Sequence, residues 1–164
     1  MASKNQTKVI AEPGKQELFI TREFEAPREL VFKAFTDPDL LPRWLGPCDM
    51  TMKIDAMEPN GYWRFVHIDK KGNEYAFHGV THEEKAPERV IRTFEFEGLP
   101  ERGHVSMETA IFEALPGDRT RVTVQSVFRS VADRDGMVQS GMEGGVVESH
   151  QKLDELLATE LQLG

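Results

Sequence analysis

Cysteine is nearly absent from this chain: Cys48 is the single one in 164 residues. An internal disulfide is therefore excluded, and nothing points to an oxidising compartment. No apolar run approaches the ~18–20 residues that a membrane-spanning helix needs. The first eight residues, Met1-Ala-Ser-Lys-Asn-Gln-Thr-Lys8, contain no apolar core of the kind a secretory signal carries, so a cytoplasmic protein is expected. Basic residues are also short: 20 Lys and Arg stand against 28 Asp and Glu, for a net charge of −8. That balance argues against a nucleic-acid binder that tracks phosphates and against attraction to anionic membranes.

Several chemical signatures are missing as well. There is no glycine-rich phosphate cradle, no dinucleotide fingerprint and no G-x-S-x-G nucleophile elbow. His78 and His82 have the i, i+4 spacing of metal ligands on a helix, but Tyr75-Ala-Phe-His-Gly-Val-Thr-His82 reads as a strand. At ~3.3 Å per residue their backbones stand about 13 Å apart, too far to share one ion. Cys48 has no histidine beside it in sequence and reads as a small apolar loop residue rather than a reactive thiol. The paired carboxylates Glu83-Glu84 and Glu95/Glu97 read as solvated strand faces. No catalytic residue, metal or cofactor is assigned.

What is present is an ordinary globular composition, 39% hydrophobic and 29% charged, long enough for one packed domain. Residues 1–14 are polar, end in Pro13-Gly14 and read as a flexible tail; residues 15–164 read as the domain. Leu18-Phe-Ile-Thr-Arg-Glu-Phe24 is a first strand, stopped by Ala26-Pro27. Leu30, Val31, Ala34 and Phe35 then recur at helical spacing, and a second short helix is expected over Pro38–Leu45. Strands follow at 50–57, 61–69, 74–84, 88–97, 104–114 and 119–128, separated by connectors short enough to favour antiparallel pairing. Ser130, three residues before Asp133, is a candidate N-cap. One long helix is expected from Asp133 or Gly136 to Leu161, although Gly136, Gly141, Gly144 and Gly145 each cost it roughly 1 kcal/mol relative to alanine. The order is β-α-α-β6-α, an α+β domain with a seven-stranded sheet. One helix cannot fill the hollow of so wide and curled a sheet, and the leftover volume tends to become a binding cavity.

Trp63, Phe65 and His67 share one strand face, while Tyr62, Arg64, Val66 and Ile68 share the other. The alternation alone does not decide which face is concave. Arg22, Arg64, Arg92, Glu108 and Gln125 are strand polar residues, and any that point inward need a partner or a polar ligand group.

Taken in order, Ala26-Pro27 with Leu30-Val-Phe-Lys-Ala-Phe-Thr-Asp-Pro38, Arg43-Trp-Leu-Gly-Pro47, Asn60-Gly-Tyr-Trp-Arg-Phe65, Gly72, Gly79, Ala86-Pro-Glu-Arg-Val-Ile-Arg-Thr93 and Ser140-Gly-Met-Glu-Gly-Gly145 form a recognisable series. It resembles the family related to the C-terminal domain of the heat-shock-protein-90 ATPase activator, within the START-like (SRPBCC) superfamily that has the birch pollen allergen fold. The resemblance spans about residues 16 to 160. It implies a helix-grip fold, with a hydrophobic cavity between the curved sheet and the long C-terminal helix. It further implies a small hydrophobic or amphipathic ligand of the lipid, sterol, polyketide or antibiotic class. The expected lining is Phe35, Trp44, Trp63, Phe65, Phe77, Phe94, Met107, Met142 and Val146, with His67, His78 and Gln125 orienting the ligand. Many relatives carry tryptophan after the helix glycine where this chain has Val146, which implies a larger or differently shaped pocket. Two other readings accompany this one. A cyclase- or hydrolase-type enzyme requires a buried His or carboxylate in the cavity. A chaperone-binding module requires an exposed apolar or strongly charged patch outside it.

Overall fold

The structure is a computed structural model that describes residues 5–161. Residues 1–4 of the expected tail and 162–164 at the C-terminus lie outside that range. The strands are β1 (Lys8–Ile10), β2 (Glu17–Phe24), β3 (Thr51–Met57), β4 (Tyr62–Ile68), β5 (Glu74–Lys85), β6 (Arg89–Phe96), β7 (Ser106–Leu115) and β8 (Arg119–Val127). They form one antiparallel sheet in the order β1-β2-β8-β7-β6-β5-β4-β3. Helix α1 (Arg28–Thr36) follows β2, and helices α2 (Val131–Gln139) and α3 (Met142–Leu156) follow β8.

The differences from the sequence expectation are local. Lys8–Ile10, expected in the tail, pairs with Phe19–Thr21 and adds an eighth strand at the sheet edge. The second short helix contracts to a single 3-10 turn, Leu41–Arg43, which is tied to α1 by the Trp44 indole N–H donating to the Ala34 carbonyl at 2.9 Å. The long C-terminal helix is broken at Gly141, whose φ of +85° is left-handed and cannot continue a helix. Ser130 does cap the first piece, accepting from the Asp133 N–H at 3.0 Å. Past Leu156 the chain runs on as a wider π turn, Leu157–Leu161.

One face of the sheet holds the core. Phe24, Val122, Phe112, Val90, Phe65 and Trp63 point to it, and Val31, Phe32, Trp44, Leu153, Leu156 and Leu157 cover them. Leu153, fully buried, contributes roughly 1.5–3 kcal/mol by leaving water. α3 is fastened at two places. Near its middle, Ser149 Oγ accepts from the Gly46 N–H at 2.8 Å. Toward its end, Asp154 receives a bidentate pair from Arg22 of β2, Nη1 to Oδ1 at 3.0 Å and Nη2 to Oδ2 at 2.5 Å. Arg22 is 3% exposed, and its guanidinium also lies 4.9 Å over the Phe24 ring.

Breaking a buried pair on one side leaves an uncompensated charge, at about 3–5 kcal/mol. Asp154→Ala is accordingly expected to lower the urea unfolding free energy by that amount. The double variant Arg22→Met/Asp154→Leu, which removes both charges, should lose distinctly less. His150, packed edge-on against Phe24 and hydrogen-bonded to Thr7 at 2.7 Å, has its pKa pushed down to about 3 by burial and by Arg22. The folded protein therefore resists protonating it. Its contribution is present above the ordinary value of 6.5 and is lost as pH falls toward 3. His150→Gln should remove about 2–3 kcal/mol of the stability lost between pH 6.5 and about pH 4.5, as followed by urea melts at both pH values.

Candidate concave-face site

Antiparallel register decides which polar side chains share the core face. Leu18 pairs with Ser126, Ser126 with Glu108, Glu108 with Arg92 and Arg92 with Thr81. One rung across five strands thus reads Leu18-Ser126-Glu108-Arg92-Thr81, and four of its members are polar. The next rung, Ile20-Val124-Ala110-Val90, is wholly apolar. Strand alternation puts both rungs on the face that carries Trp63, Phe94 and Phe112.

The polar rung is incompletely satisfied. Glu108 accepts a hydrogen bond from the Ser126 hydroxyl at 3.3 Å. The Arg92 guanidinium sits 5.9 Å from the Trp63 ring, and among the described residues it donates no hydrogen bond and forms no direct ion pair with Glu108. Both side chains are closely surrounded by protein yet keep some exposed surface. Burial pushes the Glu108 carboxyl above the ordinary carboxylate range, against the opposing pull of Arg92 and Ser126. The same desolvation lowers the pKa of Arg92, against Glu108 and Glu84.

Aromatic rings flank the rung. Trp63 lies 4.6 Å from Phe65 and 6.0 Å from Phe94; Phe77 lies 5.2 Å from Phe94 and 5.0 Å from Phe96. Phe77, Phe94 and Phe96 are half-buried, whereas Trp63 and Phe65 are sealed in the core. Gly79 permits this arrangement, because a Cβ there would stand 2.0 Å from the Thr93 carbonyl oxygen and 2.9 Å from the Trp63 indole nitrogen. That indole N–H is buried without a partner, as is Nδ1 of His67.

The expected lining residues divide in two. Trp63, Phe65, His67, Phe77 and Phe94 lie on the concave face. Trp44 is buried beneath α1, with Phe35 packed 4.7 Å from it and 5.2 Å from Phe112. Met142 and Val146 are half-buried on the α3 stripe that continues to Ser149 and Leu153. Met107, His78 and Gln125 are corrected to the opposite, convex face. Met107 is 48% exposed, His78 is hydrogen-bonded to Glu97 at 2.9 Å, and Gln125 donates to Glu17 at 2.7 Å. Each is one residue away from a concave neighbour, and a single step along a strand reverses the side chain. Arg64 is convex too, bonded to Glu97 and Asp55; its hydrogen bonds, with that of His78, hold the Glu97 pKa down to about 2. Ser126 and Thr81 carried no functional signal of their own. Parity was the available clue, since Arg92 keeps step with Val90 and Phe94, and Glu108 with Ala110 and Phe112.

Two shallow clefts lie elsewhere. One of about 200 Å³ is on the convex face, between Tyr62, His78, Val80, Thr93, Glu95 and Val105. The other, of about 280 Å³, lies between Pro13-Gly14 and α2. Among the described residues no three His, Cys, Asp or Glu side chains come together as metal ligands, and no helix is long and apolar enough to cross a membrane.

Glu108 gives the site a pH signature. A carboxyl whose folded pKa is raised favours the folded state when protonated, and that advantage fades as pH rises through the raised value. Glu108→Gln should therefore gain in melting temperature relative to the parent as pH climbs from 4.5 to neutrality. The expected gain is about 2–4 °C for each kcal/mol of relieved burial, and a gap independent of pH would contradict it.

The family described as Activator of Hsp90 ATPase homolog 1-like protein matches this sequence over residues 25–158. Solved structures share the fold. A protein from Arthrobacter aurescens superposes with a TM-score of 0.82 at 24% identity, over 94% of this chain and 92% of its own. One from Mycobacterium smegmatis gives 0.83 at 21% identity, over 94% and 98%. The AHSA1 protein of Silicibacter pomeroyi gives 0.71 at 26% identity, over 88% and 99%. No curated protein matches.

Proposed function

This chain belongs to the Activator of Hsp90 ATPase homolog 1-like family, and we propose that it binds a small hydrophobic or amphipathic molecule, of the lipid, sterol, polyketide or antibiotic class, between α3 and the concave face of the sheet. The observation that carries this reading is the polar rung. An arginine and a glutamate stand half-buried beside an aromatic floor, and protein partners leave much of their hydrogen-bonding capacity open. A ligand with an apolar body and one polar group would cover the aromatic surface and supply what the rung lacks. The adjoining half of α3 fits this use. A Cβ at Gly145 would meet only the Pro47 ring, at 3.7 Å, and Met142 and Val146 near it are half-buried.

A thermal-shift screen of lipids, sterols and aromatic polyketides tests the proposal, because a ligand bound only by the folded state raises the melting temperature. At a concentration near 100 times Kd the stabilisation should reach about 2.7 kcal/mol. Val146→Trp, which puts an indole into the space beside the sheet, should abolish the shift while the fold is kept. A shift that survives this substitution would place the ligand elsewhere.

A second reading, contact with a chaperone, is favoured by one observation on the other face. Tyr62 pairs with Val80 and Thr93 with Met107, and a Val80 N–H to Thr93 Oγ1 bond links the two pairs. The result is a row in which Tyr62, Val80 and Met107 are 40%, 40% and 48% exposed. Gel filtration with an Hsp90-class chaperone should give a complex that Val80→Lys/Met107→Lys disrupts if this row is a contact surface.

A further inference from the structure

Given the ligand-binding reading above, on which this inference rests, the chemistry of the rung narrows what the ligand's polar group is. Arg92 and Glu108 face each other across β6 and β7 in direct register, yet no hydrogen bond joins them. A cationic group brought into that space would be pressed against Arg92, and an anionic group against Glu108. Between half-buried charges, which water screens less well than exposed ones, either juxtaposition is expensive. The protein's net charge of −8 adds a further bias against anions. A hydroxyl group avoids both penalties. It has one proton to donate to a carboxylate oxygen and two lone pairs to accept from a guanidinium, and it leaves the charge balance of the site unchanged.

The floor beside the rung specifies shape. Phe77 stands 5.2 Å from Phe94 and 5.0 Å from Phe96, with ring planes inclined by 31° and 32°, and Trp63 stands 6.0 Å from Phe94 at 35°. Trp63 is sealed beneath them, and the half-buried rings of Phe77, Phe94 and Phe96 form a tilted aromatic surface above it. A flat ring system buries more area on such a surface than a flexible chain does, and gives up less conformational freedom in doing so.

We infer that the concave face takes an uncharged, flat, ring-containing molecule whose hydroxyl bridges Arg92 and Glu108 while its rings lie on Phe77, Phe94 and Phe96. Ser126 keeps Glu108 in place through its 3.3 Å hydrogen bond, so one carboxylate oxygen is held and the other faces the ligand. Thr81, next to Arg92 in the rung and 5% exposed, closes the far side.

Four probes of nearly one shape test this: 2-naphthol, 2-naphthoate, 2-naphthylmethylammonium and 2-methylnaphthalene, titrated by calorimetry at neutral pH. The parent protein should bind naphthol about tenfold more tightly than each of the other three, the advantage expected of one hydrogen bond to a charged group. Charge variants should then redirect the ranking. Glu108→Gln, which leaves Arg92 unbalanced, should move naphthoate ahead of naphthol; Arg92→Met should move the ammonium probe ahead. Circular dichroism and melting curves confirm that the variants fold, and the parent's own ranking needs no variant. Equal binding of naphthol and methylnaphthalene, a parent preference for naphthoate, or a ranking untouched by both variants overturns the hydroxyl inference and leaves the ligand-binding reading standing. If none of the four binds and the wider screen also gives no shift, both fall together.

Discussion

The ion pair between Arg22 and Asp154 is the joint on which the arrangement of helix and sheet depends. A curved sheet of eight strands offers its hollow side to water unless a helix crosses it, and α3 is a poor helix by composition, with glycines at 144 and 145. Propensity does not hold it there. Leu153 and Leu156 supply the non-directional part of the attachment, and the bidentate contact from β2 supplies the direction. The Arg22 charge is sealed from solvent, so the helix cannot slide along the sheet without stranding it. Near the middle of the helix, Ser149 clasps the backbone of Gly46, and between these two points the axis of α3 is fixed.

With the helix pinned at its C-terminal half, its N-terminal half is free of the need to pack densely. Gly144 faces solvent, and Met142 and Val146 are only half-buried. This looser half belongs to the same side of the sheet as the rung of Thr81, Arg92, Glu108 and Ser126. The molecule is therefore densely packed under the C-terminal half of α3 and more exposed along its N-terminal half. A site that tolerates desolvated charge requires such a division, because the stability lost in the polar rung must be offset by the Phe24, Phe112 and Leu153 cluster.

Much of the fold was legible from pattern. The six strands after Met50 agree with their expected spans to within two residues, since strict alternation and Gly, Pro and Asn at the turns are local properties. The Ser130 cap was legible for the same reason. The eighth strand was not: Lys8–Ile10 has only three residues, and what orders it is pairing with Phe19–Thr21. Gly141 was visible as a glycine but not as a break, because an amphipathic repeat persists across it and only the left-handed φ reveals the bend. On the concave face, Trp63, Phe65, Phe77 and Phe94 stand where their type and alternation suggest, whereas His78 and Gln125 turn outward. A histidine or glutamine reads as a ligand partner wherever it stands, and only parity relative to Phe77 and Val124 shows that both face outward.

By itself, then, the sequence determined the composition of each strand face, the places where the chain turns, and membership in the family and its α+β fold. These follow from interactions between residues near in sequence and from hydrophobic periodicity. The tertiary structure decided which face became the interior and which polar residues were carried inside with it. Arg92 and Glu108 are sixteen positions apart along the chain and Thr81 and Ser126 farther still, so their alignment on one rung is a property of register. Register is set by the cooperative pairing of whole strands and by the burial of one face, and no residue carries it alone.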